Sequence, residues 1–131
     1  MFTDADIIYR ITRKDLLDSG DLVDVTEHAQ TLGFLHPVAV TRAVWIDCVE
    51  WTEHDRKDAY QDQKGRLHDL LWMVRAAIAQ APDATDTINV LLYRVERNGE
   101  GPRPSRCWLK AMCGPGDNGE PVLTVLMPDE D

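Results

Sequence analysis

The chain has 131 residues, 44% hydrophobic and 28% charged, the make-up of an ordinary globular domain that needs no disulfide staples. Its formal net charge is −9, a sign poorly suited to tracking phosphates, so direct nucleic-acid binding is not expected. Three cysteines cannot all pair, and neither a secretory leader nor an apolar run of roughly 18 to 20 residues is present. Together these predict a cytoplasmic protein with reduced thiols and no membrane contact.

Ile7, Ile8 and Ile11 fit one helical turn, or an arm laid on the core. Thr12-Arg13-Lys14-Asp15 has the Thr-x-x-acid pattern of a capped helix start, and Gly20 is its natural stop. Leu22, Val23 and Val25 predict a brief extended segment. Thr26 predicts the cap of a second short helix that ends at Gly33, and Phe34–Val40 reads as extended around Pro37. Thr41 opens a stronger helix through Trp51, with Val44, Cys48 and Trp51 on one face and Trp45 and Val49 widening it. Asp47 and Glu50 are left facing water. Trp51–Gly65 is nearly all charge and amide and predicts an exposed, mobile loop.

Gly65–Ala81 carries the longest helical pattern. Leu67, Leu70, Leu71, Val74, Ile78 and Ala81 form one stripe, Trp72 falls well outside it beside His68, Arg75 and Ala76, and Pro82 closes the helix. Thr87–Val95, Ser105–Cys113 and Pro121–Met127 are apolar runs of strand length, separated by Gly- and Pro-rich turns. Short links of that kind pair strands antiparallel. The expected fold is a single α+β domain over residues 1–131, its N-terminal helices packed on a C-terminal three-stranded antiparallel meander. The Leu/Val/Ile stripe would seat on that meander, close to Trp45 and Trp51.

Gly114-Pro115-Gly116-Asp117-Asn118-Gly119 matches GxGxxG, but a strand follows it where a dinucleotide site needs a helix N-terminus, so it reads as a hairpin turn. Its acids, Asp117 and Glu120, lack the longer ligand series of a calcium loop and read as solvated. Cys48, Cys107 and Cys113 and the four histidines show none of the spacings of a zinc site, which predicts buried structural cysteines, with no metal and no cofactor. A nucleophile drawn from Cys107 or His54, or an acid–base pair of Glu50 and His54, is the enzymatic alternative, without a local signature to support it. Trp45 and Trp51 read as closing the helical layer, while Trp72 and Trp108 are the candidates for an interface.

Four blocks (Leu22–Glu27, Pro37–Trp45, Gly65–Met73 and Gly114–Val122) together resemble an uncharacterised family of small acidic proteins carried on bacterial plasmids and integrative elements. The resemblance runs from about Asp15 to the C-terminus, and none of its blocks is a catalytic motif. It implies no established activity and transfers no site residue. It does imply a setting, in which small acidic proteins act as anti-CRISPR or anti-restriction inhibitors.

The expected function is therefore that of a non-enzymatic accessory factor of a mobile element. It would bind a basic or nucleic-acid-binding protein through Asp47, Glu50, Glu53, Asp55, Asp58, Asp129, Glu130 and Asp131, with Trp72 and Trp108 as anchors. A small Cys/His enzyme and a homodimeric subunit are the alternatives.

Overall fold

In the computed structural model, which describes residues 11–131, helix α1 spans Arg13–Ser19. Its start is the box read from the sequence. Thr12 Oγ1 accepts from the Asp15 amide at 3.0 Å, and Asp15 accepts from the Thr12 amide at 3.0 Å. Gly20 closes the helix at φ 85°, where a Cβ would be strained. Asp117 also accepts from the amides of Arg13 and Lys14 at 2.8 and 3.0 Å. Asp117 is exposed, as expected of a turn acid, and also caps the positive end of α1, a role with a simple electrostatic cause. The expectation for Met1–Ile11 lies outside the described residues, except for exposed Ile11.

Strand β1 (Leu22–Asp24), helix α2 (Thr26–Thr31) and strand β2 (Val38–Thr41) follow. Thr26 begins α2 and does not cap it; its hydroxyl accepts from the Val38 amide instead, tying the helix start to β2. Helix α3 spans Arg42–Val44, with Thr41 as its cap, and runs into a π-helical turn over Trp45–Val49. The extra residue in that turn is closed by the Glu50 amide donating to the Trp45 carbonyl at 2.8 Å, and it shifts the phase of the side chains beyond it. A helical wheel that assumes an unbroken α-helix therefore misplaces Asp47.

Helix α4, Gln63–Gln80, starts two residues before Gly65 because Asp62 caps it, accepting from the Gly65 amide at 2.6 Å. Leu67, Leu70, Leu71 and Val74 are buried, whereas Ile78 emerges from the core. The stripe seats only over the first three turns.

The fold class is corrected at the sheet. Strands β3 (Thr87–Val95), β4 (Pro104–Pro115) and β5 (Pro121–Leu126) pair antiparallel, but they are one side of a five-stranded mixed sheet in the order β1-β2-β5-β4-β3. Not a three-stranded meander, the sheet is completed by β2 running parallel to β5 and by β1 antiparallel to β2. Val38, Ala39, Val40 and Thr41 are all buried, because β2 is an interior strand covered on both faces, and such a strand shows no period-two alternation. The helices are not one N-terminal layer either. The α3–π segment and α4 cover the face bearing Val90, Leu92, Leu109, Ala111 and Val125. Arg13 of α1 reaches the opposite face, donating to Thr124 Oγ1 at 2.6 Å and to the Leu123 carbonyl at 3.1 Å.

The Trp51–Gly65 connection is exposed over most of its length, as expected, but it is not featureless. It holds a 3-10 turn, Asp55–Lys57, and it buries Asp55 and Ala59 against the chain. Ala59 packs with Trp51 and Val95 in a small second cluster. Among the described residues no helix is long and apolar enough to cross a membrane.

Candidate functional site

Three arginines organise the region where the π turn, α4 and the ends of β3 and β4 meet. Arg66 is only 4% exposed and donates to three backbone carbonyls: Val49 at 3.2 Å, Val95 at 2.9 Å and Asp47 at 3.1 Å. Its guanidinium lies 4.7 Å above the Trp51 ring. Burial pulls its pKa below the ordinary guanidinium value, and it stays a cation. Arg94 follows Val90 and Leu92 on the same face of β3 and turns inward, donating to Asp47 at 3.0 Å and to Ser105 at 2.9 Å. Arg97 donates to Asp55 at 2.8 Å, to Glu50 at 2.6 Å and to the Ile46 carbonyl at 3.0 Å.

These pairs correct the reading of Asp47 and Glu50 as solvent-facing and remove Asp47, Glu50 and Asp55 from any free acidic surface. Glu130 is likewise engaged, accepting from the Thr41 hydroxyl at 2.7 Å and from the Met127 amide at 2.8 Å. Glu53, Asp58, Asp129 and Asp131 are exposed, and no partner holds them among the described residues. No sequence spacing links Asp47 to Arg94 or Asp55 to Arg97, since the pairs form only when β3 returns beside the π turn.

Asp55 is 5% exposed, and its Oδ2 also accepts from the Thr52 amide at 2.8 Å and the Thr52 hydroxyl at 2.9 Å. Burial alone would raise its pKa, but Thr52 and then Arg97 outweigh burial and leave it below the ordinary 3.8. A carboxyl whose folded pKa is depressed contributes stability that is present above its unfolded pKa and lost as pH falls through the folded one. Asp55→Asn should therefore cost about 2 kcal/mol at pH 7. It should also flatten the acid limb that the wild type shows below about pH 5. Urea unfolding across pH checks both, and parallel curves for the two proteins would contradict the assignment.

Next to Arg94 lie two thiols 59 residues apart in sequence. Cys48 Sγ and Cys107 Sγ are 3.9 Å apart, and Asp47 Oδ2 is 3.7 Å from the first and 3.8 Å from the second. Burial, then Cys107 and Asp47, push the Cys48 thiol well above the ordinary thiol range, and burial raises Cys107 too. Both shifts run opposite to the lowering that activates a thiolate. Their partners are each other, Asp47 and the Trp108 carbonyl, with no histidine among them, and His54 is exposed in the connecting segment. Cys113 is exposed, contrary to the expectation of three buried thiols. A hollow of about 130 Å³ adjoins the cluster, lined by Cys48, Gln61, Arg66, Asp69 and Arg94 among others. A larger groove of about 460 Å³ runs past Phe34, Leu35, Ile78 and Ile88, with His36, Arg75 and Asp86 also on its lining.

The two candidate tryptophans sit on opposite sides of the sheet. Trp72 is 49% exposed, and it points roughly 150° away from the middle of the α4 stripe. His68 stacks on its ring at 6.5 Å between centroids, and Arg75 lies 5.2 Å from it. Trp108 is 52% exposed on the face of β4 turned away from α4, opposite Leu91 in the register and flanked by Arg106 and Lys110. Tyr93, 59% exposed, and Met112 share that face. α1 lies toward the β5 side, and no element covers the β3–β4 half among the described residues.

The class these features define is a mixed α+β fold with a buried thiol–carboxylate–arginine cluster on one side of the sheet and an open aromatic patch on the other. The chain belongs to a family of unknown function, DUF6573, whose model matches residues 1–131. Neither the curated proteins nor the solved structures contain a match to it.

Proposed function

We propose that the chain is a non-enzymatic accessory factor that binds a protein partner through the open half of its sheet, anchored by Trp108. The observation that carries this reading is the patch itself, where Trp108, Tyr93 and Met112 are exposed together on one sheet face. Contiguous exposed aromatic and apolar side chains are where hot spots of association concentrate. Trp72 is the poorer anchor, because His68 and Arg75 already occupy its ring. The net charge of −9 supports steering toward a basic partner, such as a nucleic-acid-binding protein. Of the acids expected to contribute, Glu53, Asp58, Asp129 and Asp131 are exposed and unpaired among the described residues. In line with the resemblance to plasmid-borne proteins, we place the factor in the cytoplasm, on a mobile element, as an anti-CRISPR or anti-restriction inhibitor. Its free cysteines fit a reducing compartment.

The test is capture of partners from host lysate with wild type, Trp108→Ala and Trp72→Ala, at low and high salt, with identification by mass spectrometry. Trp108→Ala should lose at least tenfold of the captured partner, whereas Trp72→Ala keeps it and salt weakens it. Equal capture by Trp108→Ala would sink the reading. A second reading is favoured by β3, whose outer edge pairs with no strand among the described residues and whose sequence carries neither proline nor lysine to blunt it. Two copies would join there edge to edge. Sedimentation as a monomer at micromolar concentration rules that out.

A further inference from the structure

We propose that Asp47, Cys48 and Cys107 form a three-ligand site for a thiophilic divalent cation of the zinc class, with its fourth position facing the hollow beside Arg94. Around a tetrahedral zinc, bonds of about 2.3 Å to sulfur and about 2.1 Å to oxygen set sulfurs about 3.8 Å apart and sulfur and oxygen about 3.6 Å apart. The triangle here measures 3.9 Å between the sulfurs and 3.7 and 3.8 Å from each sulfur to Asp47 Oδ2. All three ligand atoms already stand at the spacing a single cation would impose.

A disulfide explains this geometry less well. It needs the sulfurs at about 2.05 Å and gives a carboxylate no part, whereas Asp47 is equidistant from both thiols. Backbone placement supports convergence. Neighbours on an α-helix diverge by about 100°, and the wider π turn at Trp45–Val49 narrows that step, so that Asp47 and Cys48 both reach β4. Hard cations prefer oxygen-rich sites, so two sulfurs and one oxygen select zinc over magnesium or calcium.

The surroundings supply the remaining parts. Arg94 donates to the ligating oxygen of Asp47, and Arg66 donates to the Asp47 carbonyl, which fixes the ligand's orientation as outer partners do in metal sites. Cys48 and Arg94 line the same hollow of about 130 Å³, wide enough for several solvent molecules. Arg94 Nε is buried with no hydrogen-bond partner among the described residues, leaving a donor for a water or small anion in the fourth position. The cation would fasten the π turn to β4, and the site needs no part of the Trp108 face.

Cobalt(II) titration of the full chain, prepared metal-free with a phosphine reductant, tests the proposal. One equivalent should bind, with a sulfur-to-cobalt charge-transfer band and the visible bands of four-coordination, and zinc should displace it. Cys48→Ser and Cys107→Ser should each halve the charge-transfer intensity. Asp47→Asn should bind at least tenfold more weakly, and Cys113→Ser should match wild type. A wild-type chain that gives no charge-transfer band, or a band retained in the Cys48→Ser/Cys107→Ser double variant, overturns the site. Should the serine variants fail to fold by circular dichroism, native mass spectrometry of the wild type decides, because a chain that stays metal-free in excess zinc also overturns it.

Discussion

Arg66→Ala should destabilise the protein by about 3 to 4 kcal/mol, more than any substitution of a surface arginine. Arg66 ties the π turn, the end of β3 and the first turn of α4 together, through the carbonyls of Asp47, Val49 and Val95. Its removal strands three buried acceptors, each worth about 1 to 3 kcal/mol when left unpaired, partly relieved by water that enters through the adjoining hollow. It also exposes the face of Trp51 over which the guanidinium lies. Arg66→Met keeps the apolar stem on Trp51 and loses only the donors, so it should sit between wild type and alanine. Urea unfolding followed by circular dichroism gives the free energies, with slopes that stay equal if the native states are alike. A loss below about 1 kcal/mol for alanine would mean that solvent replaces the guanidinium, and the keystone role would be withdrawn.

The local elements were legible because their signals are local. The Thr12–Asp15 box, the Gly20 stop, the Thr41 cap and the apolar runs that became β3, β4 and β5 each rest on residues within a few positions of one another. The sheet was not legible in full, because β1 and β2 are three and four residues long and β2 is buried on both faces. A fully buried strand of that length reads like any short apolar run. Nor does any local signal announce a parallel pairing between β2 and β5, which are separated by most of the chain. The ion pairs within the acidic set were hidden for a related reason. Charge counting treats each carboxylate as solvated, whereas Arg94 and Arg97 reach back across the sequence to hold Asp47, Glu50 and Asp55. Arg94 could have been placed: it continues the inward series Val90 and Leu92 at period two. The pairing of Cys48 with Cys107 could not, since it depends on the π turn and on the strand register at once.

Leu71→Ala and Trp72→Ala, neighbours on α4, should give opposite results. Leu71 is fully buried beneath the helix among Leu67, Leu70 and Val74, against the strands that carry Val90 and Leu109. Truncating it removes apolar contact and leaves a cavity in a close-packed core, a loss of about 3 to 5 kcal/mol. For a domain of this size that is a large share of a total stability of about 5 to 15 kcal/mol, so the melting temperature should fall by well over 10 °C. Trp72 lies about one step of 100° further round the helix, and its contacts are His68 and Arg75 on the same exposed surface. Alanine there keeps a good helix former and gives up only surface stacking, so the change should stay within about 1 kcal/mol. The pair separates spine from surface on a single helix. If Trp72→Ala matches Leu71→Ala in its loss, the ring is part of the core's closure after all. If it leaves stability unchanged yet abolishes partner capture, the binding face belongs on α4 and not on the sheet at Trp108.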